Sequence, residues 1–133
     1  MHGPDPCPCG AGLYRNCCEP LHTGEHRAET AEALMRSRYS AYAAGDADYL
    51  WRTWHPRTRP RAPEADPDVD WVRLEILDVV AGAAGDSDGE VEFRAYYRST
   101  DPDLPGTRVL HERSRFTVRA GRWFYLDDGM DPD

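Results

Sequence analysis

The chain carries four cysteines, and all of them fall in Cys7-Pro8-Cys9-Gly10-Ala11-Gly12-Leu13-Tyr14-Arg15-Asn16-Cys17-Cys18. A Cys-x-Cys pair followed closely by a Cys-Cys pair brings four soft ligands into one small volume. That suits a zinc ion held in a tetrahedron at about 2.3 Å per Zn–S bond. Pro8 stiffens the first pair, and Gly10 and Gly12 let the backbone take positive φ so that it can turn around an ion. A closed four-sulfur shell leaves no open coordination position, so a structural rather than a catalytic metal is expected, with Cys7, Cys9, Cys17 and Cys18 as ligands. Two disulfides are the alternative, but disulfides belong to exported proteins. Residues 1–25 contain no apolar run of the kind a signal peptide needs, so reduced thiols and a cytoplasmic address are expected. His22 and His26 could serve as spare ligands. With four thiolates at hand they read as surface histidines.

The elements that must carry this segment follow from periodicity. Glu19 to Gly24 holds turn formers without a usable period and reads as a linker. Thr30 is a plausible N-cap for a helix with Leu34, Met35, Arg38, Tyr39 and Tyr42 on one face, ended by Gly45. Arg38 is out of place on that face, because a buried guanidinium requires a carboxylate or carbonyl partner. Asp46 caps a second helix carrying Tyr49, Leu50, Thr53 and Trp54, closed by His55-Pro56. His55 suits that end, where a cation meets the helix dipole. Residues 56–68 contain four prolines and form a loop whose Arg57, Arg59 and Arg61 make a local basic patch.

From Val69 the period becomes two. Val72, Leu74 and Ile76 alternate with charged residues, and Leu77 and Val79 shift phase, which predicts a bulge. Val91, Phe93, Ala95 and Tyr97 share one face of the next strand. Leu110, Glu112, Ser114, Phe116 and Val118 share a face of the third, and a last strand spans Arg122 to Leu126. The acidic tail from Asp127 is expected to fray. Helices first and then an antiparallel meander predict an α+β fold with the helices on one face of a curved sheet.

Composition narrows the function classes. The 133 residues suit one compact domain plus a short appendage. No stretch approaches the roughly 18 apolar residues that span a membrane. The net charge is −8, with Arg as the only strong base, which disfavours general nucleic-acid binding.

The cysteine segment resembles the SEC-C zinc motif, first known from the tail of the SecA preprotein translocase ATPase, with Ala11 in place of the more usual Ser. The run Thr30 to Tyr42, Thr53-Trp54-His55-Pro56, Phe93-Arg94-Ala95, His111 to Phe116 and Gly121 to Tyr125 are similar to the YchJ-like family. That resemblance implies a SEC-C knuckle over residues 1–24 and a nuclear-transport-factor-2-like domain over residues 25–133, a cystatin-like cone with helices on the concave face of the sheet. Such a cone commonly holds a pocket. Arg38, Tyr39, Trp54, His55, Glu112, Ser114 and Trp123 are the candidates to line it, with Glu112 or His55 as a conceivable base. The competing expectation is a buried Arg38–Glu112 ion pair that fixes helix to sheet and leaves no substrate site.

Three roles follow. The first is a protein-interaction module that docks a partner through Leu13, Tyr14 and Arg15 on the metal-locked turn, the alternative being that Tyr14 and Leu13 pack inward on the cone and zinc merely pins the N-terminus. The second is a small-molecule carrier or enzyme using the cone, although a Ser/His/Asp set, paired carboxylates and a phosphate loop are all missing from the sequence. The third is nucleic-acid or ribosome binding through the knuckle and the Arg57–Arg61 loop, which the acidic charge opposes. The first is the leading expectation, with catalysis not expected.

Overall fold

The computed structural model describes residues 5–62 and 65–128. Pro63 and Glu64 of the proline-rich loop, and the acidic tail from residue 129 onward, lie outside the described residues. A single 3-10 turn at Tyr14–Asn16 and a one-turn helix α1, Glu19–His22, precede the main helix α2, Ala31–Ala44, and the short α3, Ala47–Arg52. Strands β1 (Val69–Ala81), β2 (Asp88–Ser99), β3 (Thr107–Arg119) and β4 (Arg122–Asp127) follow. They form one antiparallel sheet in the order β1-β2-β3-β4. The fold is therefore α+β, with the helices packed on a curved four-stranded sheet. Among the described residues no helix is long and apolar enough to cross a membrane.

The helix boundaries follow from local chemistry. The Thr30 hydroxyl accepts the Ala33 N–H at 3.0 Å, and Gly45 ends α2 in the left-handed region at φ 72°. Asp46 caps α3 by accepting the Tyr49 N–H. Residues 19–22, expected as linker, instead form a helical turn, because Pro20 falls in the first turn, where a missing N–H costs nothing. The β1–β2 hairpin meets the start of α2 at two glycines. A Cβ on Gly89 would lie 2.6 Å from the Gly82 Cα, and one on Gly82 would lie 2.7 Å from the Ala31 Cβ. Only bare backbone fits this approach, which the Ala31 N–H to Gly82 carbonyl bond closes at 2.9 Å.

Register shifts in β1 at Trp71/Arg73 and Ile76/Asp78 decide which side chains face the helices. The first turns Val72, expected inward, out to solvent and brings Trp71 in against Tyr39. In β2, Val91, Phe93 and Ala95 are buried and Arg94 is exposed, as period two requires. The opposite face of the sheet is charged, with Arg113 bridging Asp78 and Glu92. The free edge of β4 is covered where residues 53–55 run alongside it. Tyr125 N–H bonds the Thr53 carbonyl at 2.9 Å, and His55 N–H bonds the Tyr125 carbonyl at 2.8 Å.

The core does not divide at residue 24. Cys7, Cys9, Tyr14 and Cys18 belong to the same buried cluster as Leu34, Tyr39, Phe93 and Phe116.

Candidate functional sites: a cysteine cluster and a cone cavity

The knuckle is shaped by backbone hydrogen bonds before any metal is considered. Cys7 N–H reaches the Gly12 carbonyl at 2.7 Å and Gly10 N–H reaches the Cys7 carbonyl at 2.9 Å. Gly10 and Gly12 take φ of 86° and 147° to close the loop. The Sγ atoms of Cys7, Cys9, Cys17 and Cys18 all lie within 4.8 Å of one another. Individual separations of 3.4 Å for Cys9–Cys17, 3.8 Å for Cys17–Cys18 and 3.9 Å for Cys18–Cys9 bracket the spacing of about 3.8 Å that tetrahedral bonds of 2.3 Å impose on thiolates. All four cysteines are free thiols.

The donor chemistry agrees with the geometry. Hydrogen bonds from Cys18 and Cys9 hold the Cys7 thiol far below its ordinary range. The bond to Cys7 drives Cys18 far up, and burial, followed by the contact with Cys9, pushes Cys17 up to about 12. Four crowded sulfurs, three of them buried, cannot all ionise against one another, and a divalent cation among them removes that conflict. The residues present fit a metal ion, and these four cysteines would hold it in a closed shell.

Helix α2 supplies a second layer around the cluster. The Ser40 hydroxyl lies 3.3 Å from both Cys7 Sγ and Cys18 Sγ, and Arg36 Nη1 donates to the Cys9 carbonyl at 2.9 Å. Nothing in the spacing of α2 distinguishes Ser40, since Ser37 and Arg38 are buried polar residues of the same helix.

Two expectations for the knuckle are corrected. His22 is neither a spare ligand nor a surface residue. Its Nε2 donates to the Ser37 carbonyl at 2.8 Å, so its Nδ1 accepts from the Tyr14 hydroxyl at 2.7 Å, and its ring meets Tyr49 edge-on. Tyr14 is consequently only 9% exposed and turns inward to His22 of α1 rather than to solvent, whereas Leu13 and Arg15 remain on the surface. Without its aromatic group the turn loses most of the character of an interface hot spot.

The second constellation is a cavity of about 280 Å³ between α2 and the sheet. Met35, Arg38, Tyr39 and Tyr42 line it from the helix, and Trp54 closes one side. Trp71, Phe93, Ala95, Leu110, Glu112, Ser114 and Tyr125 come from all four strands. Of the expected lining residues, Arg38, Tyr39, Trp54, Glu112 and Ser114 converge here. His55 and Trp123 do not. The His55 Nδ1 accepts the Arg57 N–H at 3.0 Å, and its ring packs against Phe124. Slight burial and the nearby Arg57 and Arg119 charges lower its pKa, which disfavours the helix-capping cation expected there. Trp123 anchors the loop before α2 by donating to the Glu29 carbonyl at 3.2 Å.

The Arg38–Glu112 ion pair does not form. Arg38, only 3% exposed, donates from Nη1 to the Leu50 carbonyl and to the Thr53 hydroxyl, both at 2.7 Å. The C-terminal end of α3 offers it negative dipole density closer than any carboxylate among the described residues. Its guanidinium lies over the Trp54 and Tyr125 rings, at 5.4 and 4.6 Å from their centroids. Glu112 is paired with Ser114 instead, at 3.4 Å. Burial, and then Asp128, raise its pKa, with the Ser114 bond opposing. In the proline-rich loop, Arg59 stacks 3.6 Å over Trp51, so one of the three basic groups is engaged in packing.

The profile of the YchJ middle domain, described as NTF2-like, matches residues 30–128. The chain belongs to the YchJ-like family. A UPF0225 protein of Streptomyces coelicolor is 52% identical over 123 residues, spanning 92% of this chain and 93% of that protein. A UPF0225 protein of Deinococcus radiodurans is 50% identical, spanning 92% and 87%. Among solved structures, a SEC-C motif containing protein from Rhodopseudomonas palustris superposes with a TM-score of 0.78 at 35% identity, over 94% of this chain and 98% of that one. The crystal structure of a SEC-C motif containing protein from Psychrobacter arcticus gives 0.76 at 29% identity, over 98% and 85%. Matches of this extent take in the cysteine segment together with the cone.

Proposed function

We propose that this YchJ-like protein binds a small organic ligand in its cone, and that a structural zinc ion at the cysteine knuckle fastens the helix forming one wall of the site. The observation that carries this reading is the cavity: about 280 Å³, partly open to solvent, with six aromatic side chains in its lining and two of them, Tyr39 and Trp54, carrying buried donors, Oη and Nε1, that have no hydrogen-bond partner among the described residues. Native interiors rarely leave such groups unpaired, and a cavity with a few convergent polar groups is the usual form of a ligand site. Zinc suits four cysteine thiolates in a closed tetrahedron, and such thiolates persist in a reducing compartment such as the cytoplasm. A docking role for the knuckle would rest on Leu13 and Arg15 alone.

Elemental analysis of protein purified without added metal tests the ion, with about one zinc per chain expected from a single four-thiolate site. The cone is tested by a fragment library followed by two-dimensional NMR. Fragments that shift Ala95, Leu110 and the Trp54 indole N–H together are expected. A library that moves none of them overturns the ligand-binding reading and leaves the zinc reading standing.

A further inference from the structure

Resting on the ligand-binding reading, we infer that the cone selects a small, flat aromatic carboxylate, with the Arg38 guanidinium as its counter-ion. Arg38 is buried, lines the cavity and makes no ion pair with any carboxylate among the described residues. Burial lowers its pKa, with the neighbouring Tyr42 opposing, but a guanidinium starts so high that it stays charged. The Leu50 carbonyl and the Thr53 hydroxyl both engage Nη1, and the Tyr42 hydroxyl beside the cavity is a further neutral partner, so none of the groups that meet the planar donor fork is an anion. A buried charge answered only by dipoles and ring faces is costly until an anion arrives.

The two orphaned groups point the same way. An indole N–H can only donate, and a phenol without a partner readily does so. Arg38, Trp54 and Tyr39 all line the one cavity, so a cation and two donor groups without partners among the described residues are gathered at its wall. A ligand that satisfies them brings acceptor oxygens and a negative charge. A carboxylate supplies two oxygens in the bidentate geometry a guanidinium prefers. One guanidinium, with the Glu112 carboxyl on the opposite wall, favours a monoanion over a doubly charged phosphate ester. The remaining walls set the body of the ligand. Trp71, Phe93 and Tyr42 present flat apolar surface, and a volume near the lower end for ligand sites admits a single substituted ring. Arg38 lines the cavity from α2 and Glu112 and Ser114 line it from β3, so a ring hydroxyl opposite the carboxylate would be directed to the Glu112–Ser114 pair.

The test uses the metal-loaded full chain and four probes: benzoate, 4-hydroxybenzoate, benzyl alcohol and benzylamine. Titrations are followed by calorimetry and by the Trp54 indole resonance. Benzoate is expected to bind about ten-fold or more tightly than benzyl alcohol, the discrimination that one charge-assisted pair provides. 4-Hydroxybenzoate should bind at least as well as benzoate, and benzylamine should not bind. Tyr39→Phe should weaken benzoate several-fold, spare benzyl alcohol, and leave the melting temperature unchanged or raised, because the hydroxyl it removes has no protein partner. Arg38→Gln should abolish the preference for benzoate. Should that variant fail to fold, the wild-type ranking and Tyr39→Phe decide the matter alone. Benzyl alcohol or benzylamine binding as tightly as benzoate overturns the carboxylate assignment while ligand binding in the cone stands. If none of the four probes binds, the assignment is overturned, and the fragment library decides separately whether the cone binds ligands at all.

Discussion

In the knuckle, polar groups meet partners: Ser40 touches two sulfurs, Arg36 holds the Cys9 carbonyl, and His22 is clamped between Tyr14 and Ser37. Along the same helix, the cone side leaves Tyr39 Oη without a partner among the described residues and sets Arg38 against carbonyl, hydroxyl and ring faces, with no described carboxylate in reach. One helix thus carries a satisfied region and an unsatisfied one. The contrast separates roles. A region whose polar groups are saturated is built for rigidity, whereas orphaned donors around a cavity persist when something outside the chain completes them.

The largest effect should come from breaking the satisfied side. Cys17→Ser removes a ligand and is expected to release the metal at a cost on the order of several kcal/mol. The shared core predicts that the cone loosens as well, because Cys7, Cys9 and Cys18 belong to the buried cluster of Leu34 and Tyr39 and Ser40 of α2 touches the Cys7 and Cys18 sulfurs. Hydrogen exchange of the α2 amides should rise sharply in this variant. Unchanged protection would show that the cone is independent of the knuckle.

A single atom sharpens the contrast further. Tyr14→Phe deletes a hydroxyl donated to His22 and should cost about 1 kcal/mol, read by chemical denaturation. Tyr39→Phe deletes an orphaned hydroxyl and should cost nothing. Equal losses in the two variants would erase the distinction between the regions.

Glu112 offers a smaller and oppositely signed test. Its folded pKa is raised above the ordinary 4.5, chiefly by burial, so the neutral acid favours the folded state. That contribution is complete below about pH 4.5 and is lost as pH rises through the raised value. Glu112→Gln should therefore melt slightly higher than wild type at pH 7 and equally near pH 4. A Gln variant less stable at pH 7 would mean that the charged carboxylate has a favourable partner after all. The smallest effect expected is that of Tyr39→Phe itself, a melting temperature at or just above wild type.

Much of the frame was legible in the residues. The four cysteines lie so close in the chain that no folding is needed to bring them together, and backbone glycines at 10 and 12 suffice to turn them inward. Thr30, Gly45 and Asp46 mark their helix ends through bonds to neighbours three or four residues away. Period two placed Phe93, Ala95, Ser114 and Phe116 on the inner face for the same reason. These are local relations, and spacing along the chain specifies local relations.

Partner choice was not legible. Arg38 could reach a carbonyl or a carboxylate, and only the position of the α3 end decided for Leu50 over Glu112. Tyr14 turned inward because α1 places His22 beneath it. Val72 and Trp71 exchanged roles because a register shift, settled by pairing with β2, displaced the pleat by one residue. The cavity is lined from α2 and all four strands, so its volume depends on how the sheet curves around the helix. Which polar groups end unpaired is a property of the assembled interior, since each partner comes from a distant segment and packing alone determines whether it arrives.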